Sequence, residues 1–206
     1  MSIAVGIFDL LTYAIPGSLY LAFAAYLAVR LHLQVGLSVT SGPAWLVVVA
    51  VVLASYLLGY LAYPIGAVTN RLVPRRERPR PSQEFLRRVP PAASRSFVQA
   101  DLHLLQAAVE LHDREAAAEI SRLRAAGLML RNCAPPMVLS LVAAIVETLA
   151  GHHVALSIGC AVLFAALSVA LVVQGRRLAR WANLKTLELS FWLPDIDSRY
   201  GCGRTE

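Results

Sequence analysis

Four stretches of this chain carry almost no charge, and they constrain its fold more than any other feature. They cover residues 7–29, 44–66, 133–150 and 154–173. A bilayer core about 30 Å thick is crossed by about 20 helical residues, so each stretch has the length of a span. The spacing predicts an all-α integral membrane protein with four transmembrane helices and a helical hairpin on the cytosolic side, between the second and third spans. The charge deficit is local. Only 16% of residues are charged and 57% are hydrophobic, against about 25% charged in soluble domains. The remaining polar residues collect between and after the apolar runs.

The first span carries Asp9, Tyr13, Pro16 and Tyr20 at spacings of 4, 3 and 4, which places them on one helix face. Pro16-Gly17 is expected to kink or loosen that helix. In the second span Ser55 and Gly59 form a small-xxx-small pair that lets another helix approach closely. Pro64 and Gly66 end or bend it. Pro135-Pro136 is expected to break the helix or begin a new one, near the start of the third span at Cys133. That span carries Ser140, Ala144 and Glu147 on one face. Ionisable residues inside spans face other helices or water rather than lipid, so Asp9, Tyr13, Tyr20, Ser140 and Glu147 are the candidate pore or intramembrane polar residues. The turn at 151–153 forces the third and fourth spans into an antiparallel hairpin. Ser157, Ala161 and Ala165 give the fourth span a packing stripe.

Five segments follow. Residues 1–69 form a transmembrane hairpin, and 70–95 form an Arg- and Pro-rich tether. Residues 96–132 are amphipathic helices, 133–174 a second hairpin, and 175–206 a C-terminal amphipathic helix and a loose tail. The tether holds seven arginines against two glutamates between Arg71 and Arg88, and five prolines. It reads as stiff and extended rather than helical. Its members Arg71, Arg75, Arg76, Arg78 and Arg80 directly follow a span. Clustered cations there suit anionic lipid at the cytosolic face better than nucleic acid, which would also call for interleaved aromatic residues.

Beyond the tether, Ser96 with Gln99 fits a capping box. Val98, Leu102, Leu105 and Val109 then recur at a/d spacing, and Ile120, Leu123 and Leu130 resume the rhythm with a gap at Gly127. This seam suits self-association, with an intrachain hairpin as the alternative. The arginines at the insert and after the fourth span place both termini in the cytoplasm by the positive-inside rule, with the plasma (inner) membrane as the expected location.

No P-loop, HExxH, GxSxG or GxGxxG motif occurs, so no enzyme activity is expected. Neither is a cofactor, and no three- or four-residue metal set is evident. The polar stripes and packing faces lead to an expected homo-oligomer acting as a small ion channel or membrane-perturbing effector, gated or sensed through its cytosolic helices. An acidic ring at Glu147 would favour cations. The alternative is a non-conducting anchor or scaffold that recruits a cytosolic protein partner.

Overall fold

The computed structural model describes residues 3–32, 43–72, 79–151, 153–193 and 196–197. Among them there are seven α-helices, two 3-10 turns and no strand. The helices are α1 (Ile3–Arg30), α2 (Ala44–Leu61), α3 (Tyr63–Leu72), α4 (Pro81–Arg88), α5 (Leu102–His112), α6 (Arg114–Leu149) and α7 (Val154–Phe191). Four of them, α1, α2, α6 and α7, are long and apolar enough to cross a membrane. Lipid offers no hydrogen bonds to the backbone, so a helix that satisfies its own is the fitting element. Large apolar side chains such as Trp45, Leu53, Leu57 and Leu163 remain exposed along these helices, as lipid contact would have them.

The boundaries differ from those the sequence suggests. The third span is not preceded by a break: α6 runs through Pro135 and Pro136 without interruption. Both prolines are buried, and neighbouring helices in a bundle can tolerate such residues within a span. The fourth span and the C-terminal amphipathic helix are likewise one helix, α7. The second span stops at Leu61, and α3 begins afresh at Tyr63 with Pro64 in its first turn, where its missing N–H costs nothing.

The tether, expected to be extended, contains α4. Pro81 sits at the start of that helix, the Gln83 side chain accepts the Arg80 N–H at 3.3 Å, and Arg88 donates to Glu84 at 2.8 Å one turn away. Ser96–Gln99 is a 3-10 turn rather than a helix start. The cap is Asp101, whose carboxylate accepts the His103 N–H at 2.8 Å and opens α5.

The chain divides into two compact units, and α6 and α7 each contribute to both. Unit 1 comprises residues 1–74 and 125–176. Within it, α1 and α2 pack with their backbones almost in contact. A Cβ at Gly17 would strike the Ser55 carbonyl, and one at Gly59 would strike the Tyr13 carbonyl. The Tyr13 ring packs on Tyr56 and Tyr60, with centroids 5.9 and 5.5 Å away. Helices α6 and α7 approach in the same manner, since a Cβ at Gly175 would come within 3.0 Å of the Gly127 carbonyl oxygen.

Unit 2 comprises residues 75–124 and 177–206. Its centre is three aromatic rings, Phe85, Phe97 and Phe191, with centroids 6.2 to 6.5 Å apart, in the range for edge-to-face attraction. Leu105, Leu184 and Leu187 complete that cluster, and Val109, Ile120, Ala117 and Ala182 form a second one. The self-association seam is therefore occupied within the chain. Leu105, Val109 and Ile120 are fully buried, and Val98, Leu102 and Leu123 pack at the margins. Leu130 belongs to unit 1, with its Cβ close to Gly175.

Candidate polar site on the sixth helix

The site begins with a defect in α6. In a helix each N–H bonds the carbonyl four residues earlier, and proline has no N–H. Pro135 and Pro136 thus withdraw the intrahelical partners of the Arg131 and Asn132 carbonyls. The side chains of these same two residues are under-satisfied too. Asn132 is 0% exposed, and neither its amide nitrogen nor its amide oxygen has a hydrogen-bond partner among the described residues. The same holds for Nε and Nη2 of Arg131.

Neighbouring elements close around this defect. Gly66 of α3 presses on Asn132: a Cβ there would meet the carboxamide oxygen and would lie 3.3 Å from the Asn132 Cα. The Arg131 guanidinium lies over the Tyr63 ring, 5.0 Å from its centroid. Tyr20 of α1 is within electrostatic reach of Cys133, and its buried hydroxyl also lacks a partner among the described residues. Each buried, unpaired polar group costs about 1–3 kcal/mol. Groups of this kind in native structures are commonly satisfied by ordered water or an ion, or held for a functional role.

A second polar contact joins the same two helices. Glu147 of α6 receives Arg30 of α1 in a two-point contact, with Nε to Oε1 at 2.6 Å and Nη2 to Oε2 at 3.1 Å. The Tyr26 hydroxyl donates to the same carboxylate at 2.8 Å. Two hydroxyls of α6 turn back on their own helix. Ser140 donates to the Pro136 carbonyl at 2.9 Å, and Thr148 to the Ala144 carbonyl at 2.8 Å.

Tyr20 and Glu147, singled out in the sequence, thus meet the facing helix across α1 and α6, whereas Tyr13 is spent on α2 and Ser140 turns back on its own helix. The described portion of Asp9 is its place in α1; its side chain lies outside the described residues. Spacing alone does not reveal the cationic partner of Glu147, although Arg30 closes the first span and Glu147 nears the end of the third. Arg131 and Asn132 also escape a reading by motif. The available signal is their position four residues before Pro135 and Pro136.

Ser55 and Gly59 lie buried against α1. Ser157, Ala161 and Ala165 are half-buried along α7. Of the basic run, Arg71 falls within α3 without a described side chain, Arg75, Arg76 and Arg78 lie outside the described residues, and Arg80 leads into α4 of unit 2.

Unit 2 carries its own charge cluster. Glu84 receives Arg180 through Nε at 2.8 Å and through Nη2, and Arg88 bridges Glu84 to Glu188 at 3.5 Å. The Arg180 hydrogen bond, reinforced by the charges of Arg180 and Arg88, holds the Glu84 carboxyl below the usual glutamate range, against the opposing effect of burial. Asp197 pairs with Arg95 and accepts from Ser96. Burial raises its pKa, but Arg95 and the surrounding hydrogen bonds outweigh it and hold the carboxyl low. Beside it Ile196 is buried, so this part of the tail, expected to be loose, is docked.

Among the described residues no three His, Cys, Asp or Glu side chains gather in a way that would hold a metal ion. Comparison with family models, with curated proteins and with solved structures finds no match.

Proposed function

We propose that this chain is a multi-pass protein of the plasma (inner) membrane, with both termini cytoplasmic, that assembles into a small ion-conducting or membrane-perturbing oligomer. The observation that carries this reading is the Arg131–Asn132 defect. The defect stands at the start of the third span, immediately before residue 133; unpaired backbone next to the membrane is tolerated where it meets water or is enclosed by protein, and ionisable residues at such places mark transport paths. Two freed carbonyls, an unpaired carboxamide and an unpaired guanidinium edge form a buried polar cluster, closed over by Gly66 and Tyr63, that water or an ion would satisfy once admitted. Four spans are too few to enclose a wide pore, so several copies would share the task.

The charge that remains on this surface is positive. With Glu147 neutralised by Arg30, the preference shifts from the cations expected of a Glu147 ring towards anions. The test is ion flux from liposomes containing the purified protein, together with particle size in detergent. Flux with an oligomeric particle supports the reading. Absence of flux with a monomeric particle overturns it.

The anchor reading retains a specific support in unit 2, which has its own aromatic core and its own charge cluster. In that reading the spans hold the module at the membrane and the module recruits a partner. Selective capture of one protein by the full-length chain, with no flux, would favour it.

A further inference from the structure

Unit 2 contains a groove of about 470 Å³ between the start of α4, the two 3-10 turns and α7. This volume is within the range of small-molecule sites, about 300–1,000 Å³. The walls are aliphatic, chiefly Leu86, Val98 and Leu187. Two arginines, Arg80 and Arg95, reach the lining together with Ser82, and no acidic residue lines it. Arg95 is held by Asp197 and stacks 5.3 Å from the Phe191 centroid, so its position is fixed. Arg80 is exposed and meets no carboxylate among the described residues. The tether that delivers Arg80 is itself strongly basic.

We propose that this groove is a binding site for a single-chain anionic amphiphile, with the acyl chain along Leu86, Val98 and Leu187 and a phosphate at Arg80. Two features decide between this occupant and an acidic peptide. The walls are helices and 3-10 turns whose backbone groups are largely committed, so no strand edge is offered to an extended peptide. Aliphatic walls with one cation, Arg80, that meets no carboxylate among the described residues match a molecule carrying a single charged group on an apolar chain. A free guanidinium beside a hydroxyl suits a phosphate head. The assignment goes beyond the conduction reading and does not depend on it.

The test is photolabelling of the full-length protein, in an uncharged detergent, with dodecyl phosphate carrying a diazirine at the chain end, followed by mapping of the labelled residues. The expected labels fall on the groove-lining residues. Arg80→Gln is expected to lower labelling by about tenfold, the loss expected for one charge-assisted hydrogen bond, and to leave labelling by the corresponding dodecanol probe unchanged. Ala93→Trp, at an exposed lining position, is expected to block both probes. Labels confined to the spans, or groove labelling that neither substitution alters, would overturn the proposal. So would an acidic amphipathic peptide that displaces the probe better than unlabelled dodecyl phosphate does.

Discussion

Arg30 and Glu147, 117 residues apart in the chain, meet in a two-point ion pair at 2.6 and 3.1 Å. The contact ties α1 to α6 and cancels the charge of an acid that could otherwise line a conduction path. Replacing Arg30 by Gln should lower stability by about 0.5–1 kcal/mol, since the pair is partly exposed and solvent screens it. Glu147→Gln should cost a similar amount, and the two together should cost less than their sum. Thermal unfolding of the four variants in detergent checks this, and strict additivity would show that the pair contributes nothing.

The close approach of α1 and α2 makes an opposite pair of glycine predictions. A Cβ at Gly17 or Gly59 falls on a backbone carbonyl of the facing helix, so Gly17→Ala and Gly59→Ala should each cost about 1–3 kcal/mol through overpacking. A Cβ at Gly159, within α7, would meet nothing within 4 Å. Gly159→Ala should therefore gain up to about 1 kcal/mol of helix propensity. Unfolding midpoints of the three variants measure the contrast.

Acid should act on unit 2 through Glu84. Its folded pKa is held low by Arg180 and Arg88, so its contribution is complete above the unfolded value of about 4.3. It is lost as pH falls from there through the lower folded value. Glu84→Gln should start less stable at neutral pH and decline less below about pH 4.3. Denaturation followed across pH by circular dichroism would record the two slopes.

The apolar runs can be read from the sequence because absence of charge is local information. The continuity of α6 cannot. Pro135-Pro136 obeys a local rule that predicts a break, and tertiary packing overrides it. The prolines around α4 mislead in another way: Pro79 and Pro81 stand before or at its start and Pro90 follows it, so they bound the helix rather than exclude it. The Glu84–Arg88 pair at i, i+4 is the local signal for that helix.

Gly127 interrupts the seam in sequence, and the structure supplies its partner, Gly175. Contacts such as Glu84–Arg180 and Arg30–Glu147 join residues 96 and 117 positions apart. Periodicity carries no information at that range. The Arg131–Asn132 site depends on knowing that Gly66 and Tyr63 close over it.

In the proposed function the polar defect at Asn132 lowers stability because it serves passage through the membrane. Asn132→Leu, nearly equal in size, removes the unpaired amide. The decisive measurement is its thermal stability and its ion flux in liposomes, side by side with the unmodified protein. The expected result is a gain of about 1–3 kcal/mol in stability with flux reduced about tenfold, equivalent to about 1.4 kcal/mol on the barrier. Unchanged flux, or a loss of stability on removing the amide, would contradict it.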